Sequence, residues 1–120
     1  MAHIINLNTF ADSRGMLTVI ENEISFSIKR VFYIYNVDDS IRGGHRHHKT
    51  IQAAICVKGS CLIKCDDGII KSDFILDSPG KCLLIKPIDW HTMHDFSEDC
   101  VLLVLASEYF DINDYIYEKY

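Results

Sequence analysis

The chain has 120 residues, of which 48% are hydrophobic and 24% charged, a composition typical of one folded domain rather than of a disordered chain. Its formal net charge is −5 and it has no run of Lys and Arg, so we expect no nucleic-acid partner. No apolar stretch approaches the ~20 residues that span a bilayer, and the first residues do not resemble a signal peptide. The sequence therefore predicts a cytoplasmic protein with no membrane partner.

Short strands separated by turns are predicted along the chain. The predicted strands cover residues 4–7, 16–20, 30–35, 52–57, 60–65, 69–70, 74–76, 81–86 and 101–106. Turn signals rich in Gly, Pro, Asp and Ser lie at residues 12–15, 36–40, 58–59, 66–68 and 77–80. Only residues 111–119 are expected to form a short helix, with Asp111 as its N-cap. This spacing without a long helix predicts an all-β sandwich or barrel, as one domain over residues 1–120.

The chain has 5 cysteines, an odd number, and no secretion signal suggests an oxidising compartment. We expect them to be buried, free, small apolar residues in strands. Cys61 and Cys65 are four residues apart with no matching pair nearby, which is only a weak indication of a zinc site.

Five of the 6 histidines lie in two segments, residues 42–49 and 87–94. In a strand, His45 and His47 point to the same face. Two histidine clusters that meet inside a small barrel would form a site, because buried polar groups need partners. Taken singly, His48 and His94 are also compatible with ordinary solvated positions.

The histidine segments resemble the two cupin motifs, the first at residues 44–59 and the second at residues 87–91. A longer resemblance covers residues 12–15, 26–34, 42–47, 59–61, 66–68, 76–79, 90–96 and 104–107. These stretches are similar to the WxcM-like cupins that act as dTDP-4-keto-6-deoxyhexose 3,4-ketoisomerases. The resemblance implies a small antiparallel barrel or jelly roll, a homodimer, no cofactor and no metal. Arg46 and His48 depart from the family pattern, but Arg46 should point away from the face that His45 and His47 share.

The implied reaction moves the ketone of dTDP-4-keto-6-deoxyglucose from C4 to C3 through an enediolate. Imidazole suits both the removal and the return of the proton near neutral pH. We expect His45 and His47 to act as base and as proton shuttle or donor, in either order. The resemblance favours Tyr33 over Tyr35 as a phenol donor, although either is also a plausible packed aromatic of a sheet.

The remaining implied roles concern substrate binding. Arg14 and Arg42 are candidates for the diphosphate, or alternatively for structural ion pairs. The other implied substrate-binding residues are Tyr35, Gln52, Trp90, His91 and His94. Arg14 together with His91 resembles the family members that leave the C4 hydroxyl axial, so we expect dTDP-3-keto-6-deoxygalactose as the product.

Two alternatives from other classes stay open at this point. In a metal-dependent cupin enzyme, His45, His47 and His91 would bind the ion, with Gln52 where such cupins commonly have Glu. A neutral amide is a poorer ligand than a carboxylate for hard divalent ions, which disfavours that hypothesis. A non-catalytic sugar-binding cupin is the second alternative, and we would expect it to be joined to a partner domain such as a DNA-binding helix-turn-helix.

Overall fold

A computed structural model describes residues 1–120 as twelve β-strands and one 3₁₀ turn, without an α-helix. The strands are β1 His3–Asn6, β2 Asn8–Asp12, β3 Gly15–Val19, β4 Arg30–Tyr35, β5 Arg42–His47, β6 Gln52–Lys58, β7 Cys61–Asp66, β8 Lys71–Leu76, β9 Lys81–Ile85, β10 Trp90–His94, β11 Val101–Ala106 and β12 Tyr115–Ile116. No helix has the length and apolar character needed to cross a membrane. The predicted all-β architecture is confirmed.

Two five-stranded antiparallel sheets face each other. The first has the order β1-β9-β6-β11-β4 and the second the order β12-β5-β10-β7-β8. The main core lies between them and includes Ala54, Ile63, Leu83, Met93 and Leu102. Alternation along each strand sends these side chains inward, since successive residues of a strand point to opposite faces.

A second apolar cluster covers the outer face of the first sheet. Ala53, Ile55 and Leu84 pack there against Ile24 and Phe26 from the segment between β3 and β4. Strand β6 is therefore buried on both faces over its first five residues. This accounts for its continuous apolar sequence, which is typical of a strand covered on both sides.

A hairpin of β2 and β3 forms a separate two-stranded sheet. All residues of β2 are exposed, including Phe10, and so are Met16 and Leu17 of β3. The turn at residues 12–15 was predicted, but strand β2 was not, because its sequence is largely polar and does not alternate.

The end of the chain differs from the predicted helix. Asp111 does cap a turn, because its side chain accepts a hydrogen bond from the Asn113 backbone N–H, but only Ile112–Asp114 are helical. The chain then extends as β12 and pairs with β5, so that Tyr115 lies opposite His47. Pairing with an existing sheet edge replaces the hydrogen bonds that a longer helix would have made.

Candidate active site

Three histidines from two neighbouring strands meet on the inner face of the second sheet. His45 and His47 come from β5 and His91 from β10. The ring centroid of His45 lies 5.0 Å from that of His47 and 4.8 Å from that of His91. The predicted shared face of His45 and His47 is therefore present, and His91 joins it. Arg46, between them, turns away and stacks its guanidinium on the Tyr120 ring at 4.2 Å.

A backbone irregularity allows this close arrangement. The register between β5 and β10 shifts between His91 and Thr92, and bulges of this kind often re-aim side chains beside active sites. Gly43 has a φ of +86°, and a Cβ there would lie 2.8 Å from the carbonyl oxygen of His91. Only glycine accepts both this conformation and this approach of two backbones.

A buried carboxylate holds one of the three imidazoles. Asp114 Oδ2 lies 3.0 Å from His47 Nδ1 and also accepts the hydroxyl of Thr50, and Asp114 Oδ1 accepts the Lys49 backbone N–H at 2.9 Å. An ionised carboxylate can only accept, so Nδ1 of His47 carries the proton and Nε2 has a free lone pair. The Nε2 atom is buried and has no hydrogen-bond partner.

The environment keeps these imidazoles neutral near pH 7. Burial lowers the pKa of His45 to about 4, and the adjacent His91 adds to the effect. Burial also lowers the pKa of the fully buried His91 to about 4. Burial and the charge of His45 lower the pKa of His47, while Asp114 opposes that shift. A neutral imidazole is the form that can accept a proton.

The carboxylate stays ionised despite its burial. Burial by itself would raise the pKa of Asp114, but the hydrogen bonds from Thr50 and Lys49 and the interaction with His47 outweigh it and lower the pKa. Hydrogen bonds to the charged form favour that form, so Asp114 remains an acceptor for His47 over the neutral range.

A cavity of about 190 Å³ opens onto His45 and His91 of this cluster. Its polar lining consists of Arg30, Arg42, His45, Gln52, His91 and Tyr115. Gln52 Oε1 and His91 Nε2 are buried without hydrogen-bond partners, like His47 Nε2. Unpaired buried polar atoms are costly, so this concentration of them marks a place where a polar ligand would complete the hydrogen bonds.

Asp114, Tyr115 and Arg30 were not predicted as site residues. The ring centroid of Tyr115 lies 4.6 Å from that of His45 and 4.7 Å from that of His47. Both Asp114 and Tyr115 lie in the segment for which a helix was predicted. The short Asp-x-x-Asp-Tyr pattern at residues 111–115 was the available signal, since a capped turn followed by an aromatic residue can end in an extended edge strand.

Tyr33 and Tyr35 do not line this cavity, so the donor role predicted for Tyr33 and the substrate contact predicted for Tyr35 stay predictions. They occupy the outward positions of β4 and are 62% and 57% exposed. Their rings stack on each other with centroids 5.8 Å apart. The inward positions of the strand belong to Arg30, Phe32 and Ile34, because the side chains alternate.

Trp90, His94 and Arg14 are also outside the cavity in this chain. Trp90 and His94 occupy the outer face of β10, where they line a separate groove, because inward His91 fixes the opposite direction for its neighbours. Arg14 lies at the tip of the β2–β3 hairpin, exposed and paired with Asp12 at 2.6 Å. Of the predicted site residues, the fold therefore gathers the three inner histidines, Arg42 and Gln52, whereas the roles predicted for Trp90, His94 and Arg14 stay predictions.

Comparison with known proteins identifies the family. The sequence matches the family described as "FdtA: WxcM-like, C-terminal" over residues 1–120. It is 49% identical over 116 residues to the TDP-4-oxo-6-deoxy-alpha-D-glucose-3,4-oxoisomerase of Aneurinibacillus thermoaerophilus, an alignment that covers 94% of this chain and 84% of that protein.

Solved structures agree with this match. The fold is similar, with a TM-score of 0.94 and 44% identity, to a mutant of the 3,4-ketoisomerase QdtA from Thermoanaerobacterium thermosaccharolyticum in complex with TDP-4-keto-6-deoxyglucose, covering 98% of this chain and 87% of that one. It is also similar to WlaRA, a TDP-fucose-3,4-ketoisomerase from Campylobacter jejuni, with a TM-score of 0.90 and 40% identity over 98% of this chain and 89% of that one. The predicted cupin-type fold is confirmed, and the chain belongs to the WxcM-like family of FdtA.

Proposed function

We propose that this protein is a sugar-nucleotide 3,4-ketoisomerase that converts dTDP-4-keto-6-deoxyglucose to a dTDP-3-keto-6-deoxyhexose. One observation carries the proposal. Nε2 of His47 is buried without a hydrogen-bond partner beside two further neutral imidazoles, and Nδ1 of the same ring donates to Asp114. A proton on the carbon next to a ketone needs a neutral base of this kind. The ketoisomerase relatives at 40–49% identity support the same reaction class.

In the proposed mechanism His47 is the base. The sequence had left open whether His45 or His47 takes this role. Nε2 of His47 removes the proton from C3, and the C4 carbonyl oxygen gains the negative charge of an enediolate. The hydroxyl proton of O3 passes to O4, and C4 receives a proton that has exchanged with solvent, so that the ketone ends at C3. His45 lies 5.0 Å from His47 between ring centroids and serves as the shuttle between the two oxygens.

One neutral donor supports the developing negative charge in this proposal, and one neutral acceptor binds the sugar. Tyr115 lies against both His45 and His47, and its phenol takes the donor role that the sequence assigned to Tyr33. Donors that are already oriented toward an oxygen on which charge develops lower the barrier without reorganising. Gln52 contributes hydrogen bonds to the sugar, because its buried amide oxygen has no partner within the chain.

The diphosphate is assigned to arginines at the cavity. Arg42 is exposed and lines the cavity, and Arg30 lies beside it with its guanidinium 4.6 Å from the Phe32 ring centroid. A guanidinium binds phosphate oxygens in a bidentate manner, and stacking on an aromatic ring holds it in place. Sequence analysis had predicted Arg42 for this role but not Arg30.

A metal ion is not required by this chemistry. The chain has one group of three or more metal-binding side chains with all ligand atoms within 4.8 Å of one another, and that group consists of cysteines rather than of His45, His47 and His91. The three imidazoles would have to move to bind one ion. The metal-dependent alternative is therefore disfavoured on ligand geometry.

We also propose that the protein is a homodimer in which the β2–β3 hairpin of each subunit packs on the other. The hairpin exposes Phe10, Met16 and Leu17, and the outer face of β4 exposes Tyr33 and Tyr35. Apolar side chains of this size favour an interface, and a two-fold assembly would cover both surfaces and the hairpin edges. A second copy of the chain supplies both surfaces at once.

The proposed product has the galacto configuration, with an axial C4 hydroxyl. His91 lies within the cluster and can hold a proton on one face of the enediolate. Arg14 lies on the exposed β2–β3 hairpin. In the proposed dimer, the hairpin of the second subunit would bring its Arg14 to the cavity, where it would influence the configuration at C4. The sequence resemblance that pairs Arg14 with His91 remains the reason for expecting the axial product.

The experiment is incubation with dTDP-4-keto-6-deoxyglucose in deuterated water, followed by proton NMR. We expect a 3-keto product with deuterium at C4 and, when protiated water is used, a small H4–H5 coupling. A His47→Asn variant is the control for base catalysis. Unchanged substrate with the native protein would refute the ketoisomerase proposal, whereas a large H4–H5 coupling would refute only the stereochemical part.

A further inference from the structure

Three cysteines form a cluster that the proposed reaction does not use. Cys56 lies on β6, Cys61 begins β7, and Cys100 directly precedes β11. Their Sγ atoms all lie within 4.8 Å of one another, and those of Cys56 and Cys100 are 3.4 Å apart. All three are free thiols and at most 2% exposed. Cys56 is four residues along β6 from Gln52, so the cluster is about 13 Å from the cavity at roughly 3.3 Å per residue.

Two connections between strands hold these thiols together. The backbone N–H of Ser60 donates to Ser97 Oγ at 2.9 Å, and the N–H of Ser97 donates to the Ser60 carbonyl at 2.8 Å. The Cys100 N–H donates in turn to the Ser97 carbonyl at 3.0 Å. Gly59 lies at the centre with a φ of +72°, and a Cβ there would come within 2.9 Å of the Cys100 Cα. The close approach of the thiols is therefore fixed by backbone geometry.

The spacing suits one central atom with three sulfur ligands. A metal–thiolate bond of about 2.3 Å keeps two sulfurs on the same atom within roughly 4.6 Å of each other. The Cys56–Cys100 distance of 3.4 Å is inside that limit. No histidine or carboxylate belongs to the group, whereas a structural zinc site needs a fourth ligand. The geometry indicates a three-coordinate, thiophilic centre.

The apolar surroundings favour a centre whose complex with three thiolates has no net charge. The cluster is part of the main apolar core, to which Leu102 and Phe96 also belong, and Asp99 is the charged residue adjacent to Cys100 in the sequence. Three thiolates around Cu⁺ or Zn²⁺ would leave a net negative charge in this core, and buried unpaired charge is costly. Three thiolates around a trivalent centre give a neutral complex.

We propose that Cys56, Cys61 and Cys100 form a binding site for a trivalent thiophilic metalloid, arsenic(III) taken up as arsenous acid. In the step, three S–H bonds and three As–OH bonds break, three As–S bonds form, and three water molecules leave. No atom changes oxidation state and no net charge enters the core. The three As–S bonds would cross-link β6, β7 and the segment before β11, so binding stabilises the folded chain.

The test is titration of the native protein with arsenous acid, read by native mass spectrometry. We expect one arsenic per chain, with a mass gain equal to one arsenic less three hydrogens, and a higher midpoint of thermal unfolding. A Cys61→Ser variant should lose that species. A Cys82→Ser variant is the matched control and should keep it, because Cys82 is a buried cysteine of the other apolar cluster.

X-ray absorption at the arsenic edge of the native complex gives a readout that needs no variant. Three sulfur neighbours at one distance are expected. An arsenic that keeps a hydroxyl, an adduct that survives in Cys61→Ser, or no adduct with the native chain would each overturn the proposal. If Cys61→Ser does not fold, the sulfur count on the native protein decides the question alone.

Discussion

Replacing Asp114 by asparagine tests whether Asp114 sets the tautomer of His47, the proposed base. Asp114 Oδ2 accepts from His47 Nδ1 and Oδ1 accepts from the Lys49 N–H. The amide of asparagine has one acceptor and one donor end. If its NH₂ group faces His47, Nδ1 must become the acceptor and the proton moves to Nε2, where it blocks base catalysis. If the amide flips, its NH₂ group faces the Lys49 N–H and that hydrogen bond is lost.

The expected loss of kcat follows from this change of tautomer. General base catalysis contributes roughly 10²- to 10⁴-fold, and we expect Asp114→Asn to lose most of it. One mismatched buried hydrogen bond costs about 1–3 kcal/mol, less than the total stability of roughly 5–15 kcal/mol of a typical domain. The variant should therefore fold, bind the nucleotide with nearly unchanged KM, and turn over slowly.

The assay compares kcat, KM and the pH dependence of kcat/KM for both proteins. Asp114 raises the pKa of His47 relative to burial alone, so its neutralisation should move the acid limb of the profile to lower pH. Asp111→Asn is the matched control, because asparagine also caps the turn that Asp111 begins. Turnover of Asp114→Asn within about threefold of the native rate, with an unmoved acid limb, would refute the reasoning.

Four further outcomes are expected. His91 has a pKa of about 4 in the folded chain and near 6.5 in the unfolded chain, so as the pH falls His91 is protonated first in the unfolded chain. His91 alone should thus lower the free energy of unfolding by about 2 kcal/mol between pH 7 and pH 5, and urea titrations of His91→Asn should show a smaller pH effect than the native chain. Tyr115→Phe should reduce kcat about tenfold or more while Tyr33→Phe changes it little, and the reverse order in steady-state kinetics would restore Tyr33 as the donor. Activity should survive incubation with EDTA; loss that one divalent metal restores would favour the metal-dependent alternative. Sedimentation should give a dimer for the native chain and a monomer for a variant with Asp at both Met16 and Leu17, whereas a native monomer at micromolar concentration would contradict the proposed assembly.

Periodicity and turn chemistry were sufficient to predict the sheets. Most predicted strands match observed ones within a residue or two, including Arg30–Tyr35 and Val101–Ala106, because Val, Ile and aromatic residues suit a pleated surface. The prediction that all five cysteines are free and buried is likewise confirmed. Their clustering could not be predicted, because β6, β7 and the segment before β11 meet only in three dimensions.

Part of the candidate site depends on tertiary contacts that one sequence does not reveal. The period of two placed His45 and His47 together, and the second histidine segment brought His91 beside them. The same period does not reveal which face of β4 points inward, so the outward position of Tyr33 could not be predicted. The role of Asp114 depends on an edge strand that brings it to His47, 67 residues away along the chain, which local propensity cannot encode.

The pairing of β12 with β5 also has a consequence for the order in which the protein becomes competent during synthesis. Strands β1 to β11 precede Asp114, and the ribosome releases the chain from its amino end. The segment that carries Asp114 and Tyr115 therefore emerges after every core strand, and the two sheets can pack before β12 docks on β5. Catalytic competence would then arise only when residues 111–116 dock on β5, so a released chain that lacks Asp114 and the residues after it would be compact yet inert.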